Sequence, residues 1–174
     1  MASLYMLIIM LILFWLQLLF GGIALHVPLC VGGIFYISIA YSWRHGIFWA
    51  LLSGISLDLS YNRYFFISTW AFLSVVIFAE YYLRKNDMRH LRNCILPGAI
   101  IALMSVLPIW IYKLIIYNSD IIAVFKDMLP VTIYTLSFNA LMLPLMVLVL
   151  DEIGEKVRLP LFTNANKRLL EEHL

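Results

Sequence analysis

Asp58 is the costliest residue in the chain to place. It closes the run Gly46-Ile-Phe-Trp-Ala-Leu-Leu-Ser-Gly-Ile-Ser-Leu-Asp58, which is otherwise apolar or small. A carboxyl group at the centre of a bilayer costs at least about 2.5–3.5 kcal/mol, less near an interface. Such a group needs a partner, and Arg63 and Lys113 are two candidate cations, the first giving a candidate Asp58–Arg63 ion pair. Two chemistries fit: a proton or ligand site inside a bundle, or a carboxyl that caps and packs a helix near the membrane surface. Buried ions are commonly paired structural features, which favours the second.

Gly46, Ala50, Gly54 and Asp58 recur every four residues, so a helix places them on one inclined ridge. Small side chains let a second helix backbone come close, which drives association in lipid. Packing within the chain is the first expectation and contact with another protein the sharper one. Asn139 and Pro144 interrupt a later apolar run. Pro144 leaves the carbonyl of Ala140 without its helical donor, and the Asn139 amide is expected to bond nearby or to reach another helix. A hydrogen-bonded kink is the plain reading and a mobile hinge the alternative. Gln17 is the polar side chain deep in the first apolar run and is expected to bond to another helix. Glu80 and Arg84 form an i, i+4 pair.

Other chemistries lack their residues. His26, His45, His90 and His173 fall in four separate segments without metal-ligand spacing. Cys30 and Cys94 are expected on opposite sides of a membrane and form neither a disulfide nor a zinc set. No nucleophile motif, phosphate loop or basic nucleic-acid tract is present. The expectation is a non-enzymatic protein with no catalytic, cofactor-binding or metal residues. Asp58 with Arg63 is the one thin candidate for an enzyme.

The elements that must carry these residues are membrane helices. Of 174 residues, 64% are hydrophobic and 13% charged, with mean hydropathy +0.95. Soluble domains run near 45–50% apolar and about 25% charged. Long apolar runs without alternation indicate helices, not barrel strands. The expected fold is all-α, a polytopic bundle of six transmembrane helices over about 4–25, 27–43, 46–60, 64–83, 94–117 and 128–150, followed by a charged tail, 151–174. The first run is read as a span and not a cleaved signal. A turn is expected at Trp43-Arg44-His45-Gly46 and an external stretch at 118–127, as a short surface helix. The segment 46–60 is short enough to be partly re-entrant. With both termini cytoplasmic, Arg44, Arg84, Lys85, Arg89, Arg92, Lys156, Arg158, Lys167 and Arg168 lie inside, whereas Arg63, Lys126 and the snorkelling Lys113 lie outside. Aromatic residues near span ends, Trp43, Tyr61, Tyr81 and Tyr82 among them, fit interfacial anchors. The tail is expected to lie on the inner membrane surface or to dock to a partner.

Across residues 10–158 this pattern resembles the bacterial rod shape-determining protein family MreD. Leu16-Gln17 is similar to the family's Leu-Gln near the end of the first span. Gly54-Ile-Ser-Leu-Asp58 resembles its glycine and aspartate four apart, and Asn139-Ala-Leu-Met-Leu-Pro144 its asparagine, small residue and proline in the last span. The chain departs from the family after Asp58, where 59–66 holds no glycine. The resemblance implies an inner-membrane, non-enzymatic scaffold of the cell-elongation (peptidoglycan-synthesis) machinery. It also implies MreC as the partner, with RodA, a class B penicillin-binding transpeptidase and MreB nearby. A fold similar to the substrate-binding components of energy-coupling-factor vitamin transporters is implied too, and such a component is the alternative function. The near absence of alanine from the first span and the short connection at His26 count against that alternative.

Overall fold

The computed structural model describes residues 2–22, 27–62, 66–86, 91–116 and 121–165, and among these there are helices and the turns between them but no strand. Six α-helices follow in order: α1 Ala2–Gly22, α2 Leu29–Ala40, α3 Trp43–Ser60, α4 Ile67–Lys85, α5 Ile95–Ile116 and α6 Ile121–Lys156. Short 3-10 turns occupy Leu91–Cys94 and Phe162–Asn164. Among the described residues, three helices are long and apolar enough to cross a membrane, over Ala2–Gly21, Ile95–Ile115 and Val124–Lys156.

Successive helices run in opposite directions, and contacts at each end show it. At one end, here the Tyr5 end, the Tyr5 hydroxyl donates to the Leu150 carbonyl at 2.7 Å, and Tyr82 donates to the Asn93 carbonyl. At the other, the Asp58 end, the Trp110 indole N–H donates to Thr132 at 3.1 Å. Cys30 and Cys94, both buried with free thiols, lie towards opposite ends.

α2 is the centre of the bundle. Each of its twelve residues is buried, and it touches all five other helices. A helix that is apolar all round belongs inside. Around it pack Met6, Met10 and Leu13 of α1, Val75 and Ala79 of α4, and Val147 of α6. Tyr36 stacks on Phe162 at 6.0 Å and Phe35 lies tilted against it at 6.1 Å, so the chain after α6 folds back onto the core.

Three expectations are corrected here. Segment 27–43 is not one long helix: α2 has twelve residues, about 18 Å at 1.5 Å each, and the chain breaks at Tyr41-Ser42. Trp43-Arg44-His45-Gly46 is not a turn but the first turn of α3, because Ser42 is extended and its carbonyl accepts the Gly46 N–H at 3.1 Å. α3 is therefore one continuous helix of 18 residues. The expected external stretch 118–127 is helical from Ile121 and continuous with α6, which also runs on through Asp151 and Glu152.

Candidate functional site

The sequence-selected residues divide between helix contacts and helix caps. Ala50, Gly54 and Asp58 are buried, and Gly46 and Gly54 face neighbouring helices of the same chain. A Cβ on Gly54 would stand 2.6 Å from the Thr69 Cα, and one on Gly46 would collide with the Ser38 side chain. The ridge is thus occupied by α4 and α2 and offers no free surface to a partner. Gly98, which the sequence did not single out, plays the same part where α5 crosses α6: its Cβ would sit 2.5 Å from the Asn139 carbonyl. Asn139 is 4% exposed, and its amide nitrogen makes no hydrogen bond. The expected bond from that amide to the carbonyl freed by Pro144 is absent. Glu80 and Arg84 do pair, at 3.0 Å on the surface.

Asp58 caps α4. Its two oxygens accept the Ser68 N–H at 3.0 Å each, and one also accepts the Thr69 N–H at 3.2 Å and the Thr69 hydroxyl at 3.3 Å. The reason lies in the N-cap residue, Phe66. It has no side-chain oxygen and sits in the left-handed region at φ 49°, ψ 46°, a conformation that costs a non-glycine residue of order 1–3 kcal/mol. The first N–H groups of a helix have no internal partner, and the preceding helix supplies one. The partners are backbone and hydroxyl groups of α4, not Lys113; Arg63 lies outside the described residues, as do His26 and the tail beyond 165.

The same device recurs twice. The N-cap of α2 is Pro28, which has no capping oxygen, and Gln17 of α1 accepts the Cys30 N–H at 2.8 Å. The N-cap of the Phe162–Asn164 turn is Leu161, and Asp151 accepts from Phe162 N–H at 2.9 Å, Thr163 N–H at 3.1 Å and the Thr163 hydroxyl at 2.9 Å. Asp151 also takes the Tyr36 hydroxyl at 2.9 Å, which ties the tail to α2. Sequence reasoning missed Asp151. A signal existed, since a threonine follows Asp58 by eleven residues and Asp151 by twelve.

Two concave features remain. At the Asp58 end a cavity of about 280 Å³ opens where α2 is too short to fill the bundle. Gln17, Tyr61, Ser68, Ser105 and Thr135 bring polar groups to it from five helices and their ends, between Leu57, Phe72 and Val106. On the outside, an apolar groove of about 430 Å³ separates α1 from α3, walled by Leu7, Leu11 and Phe14 against Phe48, Trp49 and Leu52, with Ser3, Ser53 and Ser56 along it. Among the described residues, no group of three His, Cys, Asp or Glu side chains converges to hold a metal. No protein-family model, curated protein or solved structure matches the chain.

Proposed function

We propose that the chain is a multi-pass scaffold subunit of the bacterial inner membrane, serving the cell-elongation machinery and binding a single-span partner of the MreC type through the groove between α1 and α3. The resemblance in residues 10–158 names the machinery, and the groove is the observation that carries the mechanism. Lipid-facing surfaces are apolar everywhere, so apolarity alone marks nothing. A slot between two helices that barely touch is different, because a third helix can lie in it. Serines along the slot allow close backbone approach and a hydrogen bond across the contact, the two features that hold helices together in lipid.

The charge distribution supports the orientation. Arg44, Arg84, Lys85, Lys156 and Arg158 gather at the Tyr5 end, whereas Lys113 and Lys126 belong to the Asp58 end. Basic residues are retained on the cytoplasmic side, so the Tyr5 end is the inner one. RodA, the transpeptidase and MreB would join through the same assembly without chemistry by this chain.

A second reading, a transporter's substrate-binding component, draws on the polar cavity. Against it, α1 exposes Leu4, Leu11, Trp15 and Leu19, bulky side chains where a coupling subunit would need small ones.

The test fills the groove. Ser56→Trp, on a half-buried position, should abolish co-purification of MreC in mild detergent. Leu141→Trp on the exposed face of α6 should leave it intact. Undiminished co-purification with Ser56→Trp would sink the assignment.

A further inference from the structure

We propose that the groove between α1 and α3 is a site for one anionic phospholipid, with an acyl chain laid in the slot and the phosphate held by Arg44, so that a partner helix enters by displacing it. The inference rests on the membrane-spanning reading above and on nothing about the partner's identity.

The length of the groove points to an acyl chain. α1 and α3 both begin at the Tyr5 end and run in the same direction. On α1 the groove extends from Ser3 to Phe14, about 17 Å at 1.5 Å per residue. That is roughly half of a ~30 Å hydrocarbon layer, the depth of one leaflet. A spanning helix would need a slot twice as long to be held along its whole course. The walls are apolar, with Leu7 and Leu11 facing Phe48 and Leu52. The serines between them do not oppose hydrocarbon. Ser53 donates to the Trp49 carbonyl and Ser56 to the Leu52 carbonyl, so an acyl chain lying on them strands no donor.

The charge at the mouth selects the headgroup. Phe48, Leu52 and Ser56 follow one another every four residues along the α3 wall, and one turn back on that row stands Arg44. It is exposed, it is the second residue of α3, and its guanidinium lies 5.8 Å from the Trp43 ring. A tryptophan near the end of a membrane helix marks headgroup level, and Arg44 beside it stands at the depth of the lipid phosphates. A guanidinium meets phosphate oxygens with two parallel N–H donors. Phosphatidylethanolamine brings its own ammonium group to that phosphate, whereas phosphatidylglycerol keeps its net negative charge, and the second is the better match.

The test is photolabelling of the full chain in vesicles of phosphatidylglycerol and phosphatidylethanolamine. The probe is phosphatidylglycerol with a diazirine near the middle of one acyl chain, and labelled peptides are mapped by mass spectrometry. Label should concentrate on 7–14 and 48–56. It should fall roughly fivefold when phosphatidylethanolamine carries the same chain, and by a similar factor in Arg44→Gln. Leu52→Trp, which fills the slot, should remove it. Equal labelling by the two lipids, or label spread evenly over the exposed helix faces, overturns the proposal. Both comparisons use the unaltered protein, so they decide the matter even where a variant fails to fold. The vesicles hold probe in both leaflets and contain no MreC, so failure here is read separately from failure of the orientation or of partner binding.

Discussion

Gln17, Asp58 and Asp151 do one job at three places: each satisfies helix N–H groups that their own N-cap residues, Pro28, Phe66 and Leu161, cannot reach. In lipid no water replaces a missing acceptor, so each unmet N–H costs several kcal/mol at depth. Asp58 serves two N–H groups and a hydroxyl while being 1% exposed. Asp58→Ala should therefore destabilise the chain by about 2–4 kcal/mol, and Asp58→Asn, which keeps one acceptor oxygen, by about half as much. Thermal unfolding in detergent reads both. An Asn variant as damaged as the Ala variant would show that charge, and not the number of acceptors, holds α4. The importance of Asp58 was legible in the sequence, because an acid inside an apolar run stands out. Its partners were not, because backbone N–H groups carry no residue letter. Asp151 was hidden for the opposite reason: beside Glu152 and Glu155 it reads as one more charge of a solvated tail.

At the scale of elements, the long runs α1, α5 and α6 were readable from hydropathy, and the difficult part was 27–60. A buried helix of twelve apolar residues and a lipid-facing span look alike to composition, and only packing separates them. The four-residue ridge of α3 was legible as a packing surface, but not which helix fills it. Because Thr69 both abuts Gly54 and is capped by Asp58, the two residues clamp the same turn of α4. Gly54→Ala should cost about 1–3 kcal/mol by forcing α3 and α4 apart, and Gly54→Leu should prevent folding. If instead the melting temperature held and partner binding alone fell, the ridge would have to be an intermolecular surface after all. The tail is a second coupled element. Phe162 is fully buried between Phe35 and Tyr36, and Asp151 holds the turn that presents it. Phe162→Ala removes about 3–5 kcal/mol of packing. Since the turn has few other buried contacts, the loss should appear as faster protease cleavage near 157–160 while the melting temperature of the bundle changes little. Equal cleavage rates would mean that the tail is held elsewhere.

For the whole molecule, the alternation of the helices fixes a parity that no single span establishes. α1 begins and α6 ends at the Tyr5 end, and Tyr5 bonds the carbonyl of Leu150 across that distance. α2, about 18 Å long, need not reach both surfaces of a ~30 Å hydrocarbon layer for this to hold. It need only carry the chain from the far end of α1 to the near end of α3. In the topology proposed above, the Lys and Arg distribution decides between the two opposite orientations, with the Tyr5 end expected in the cytoplasm. Cysteine labelling separates them cleanly, because the native Cys30 and Cys94 are 0% and 1% exposed and give little background. In intact spheroplasts a membrane-impermeant maleimide should label Lys126→Cys, on an exposed position near the start of α6, and should spare Glu155→Cys, exposed at its other end, until the cells are lysed. The reverse pattern would turn the basic face outward. It would put the groove's Ser3 edge at the periplasmic surface, and it would remove the charge argument on which the proposed scaffold role depends. Labelling of both positions before lysis would be worse for the fold itself, since α6 would then not cross the bilayer at all.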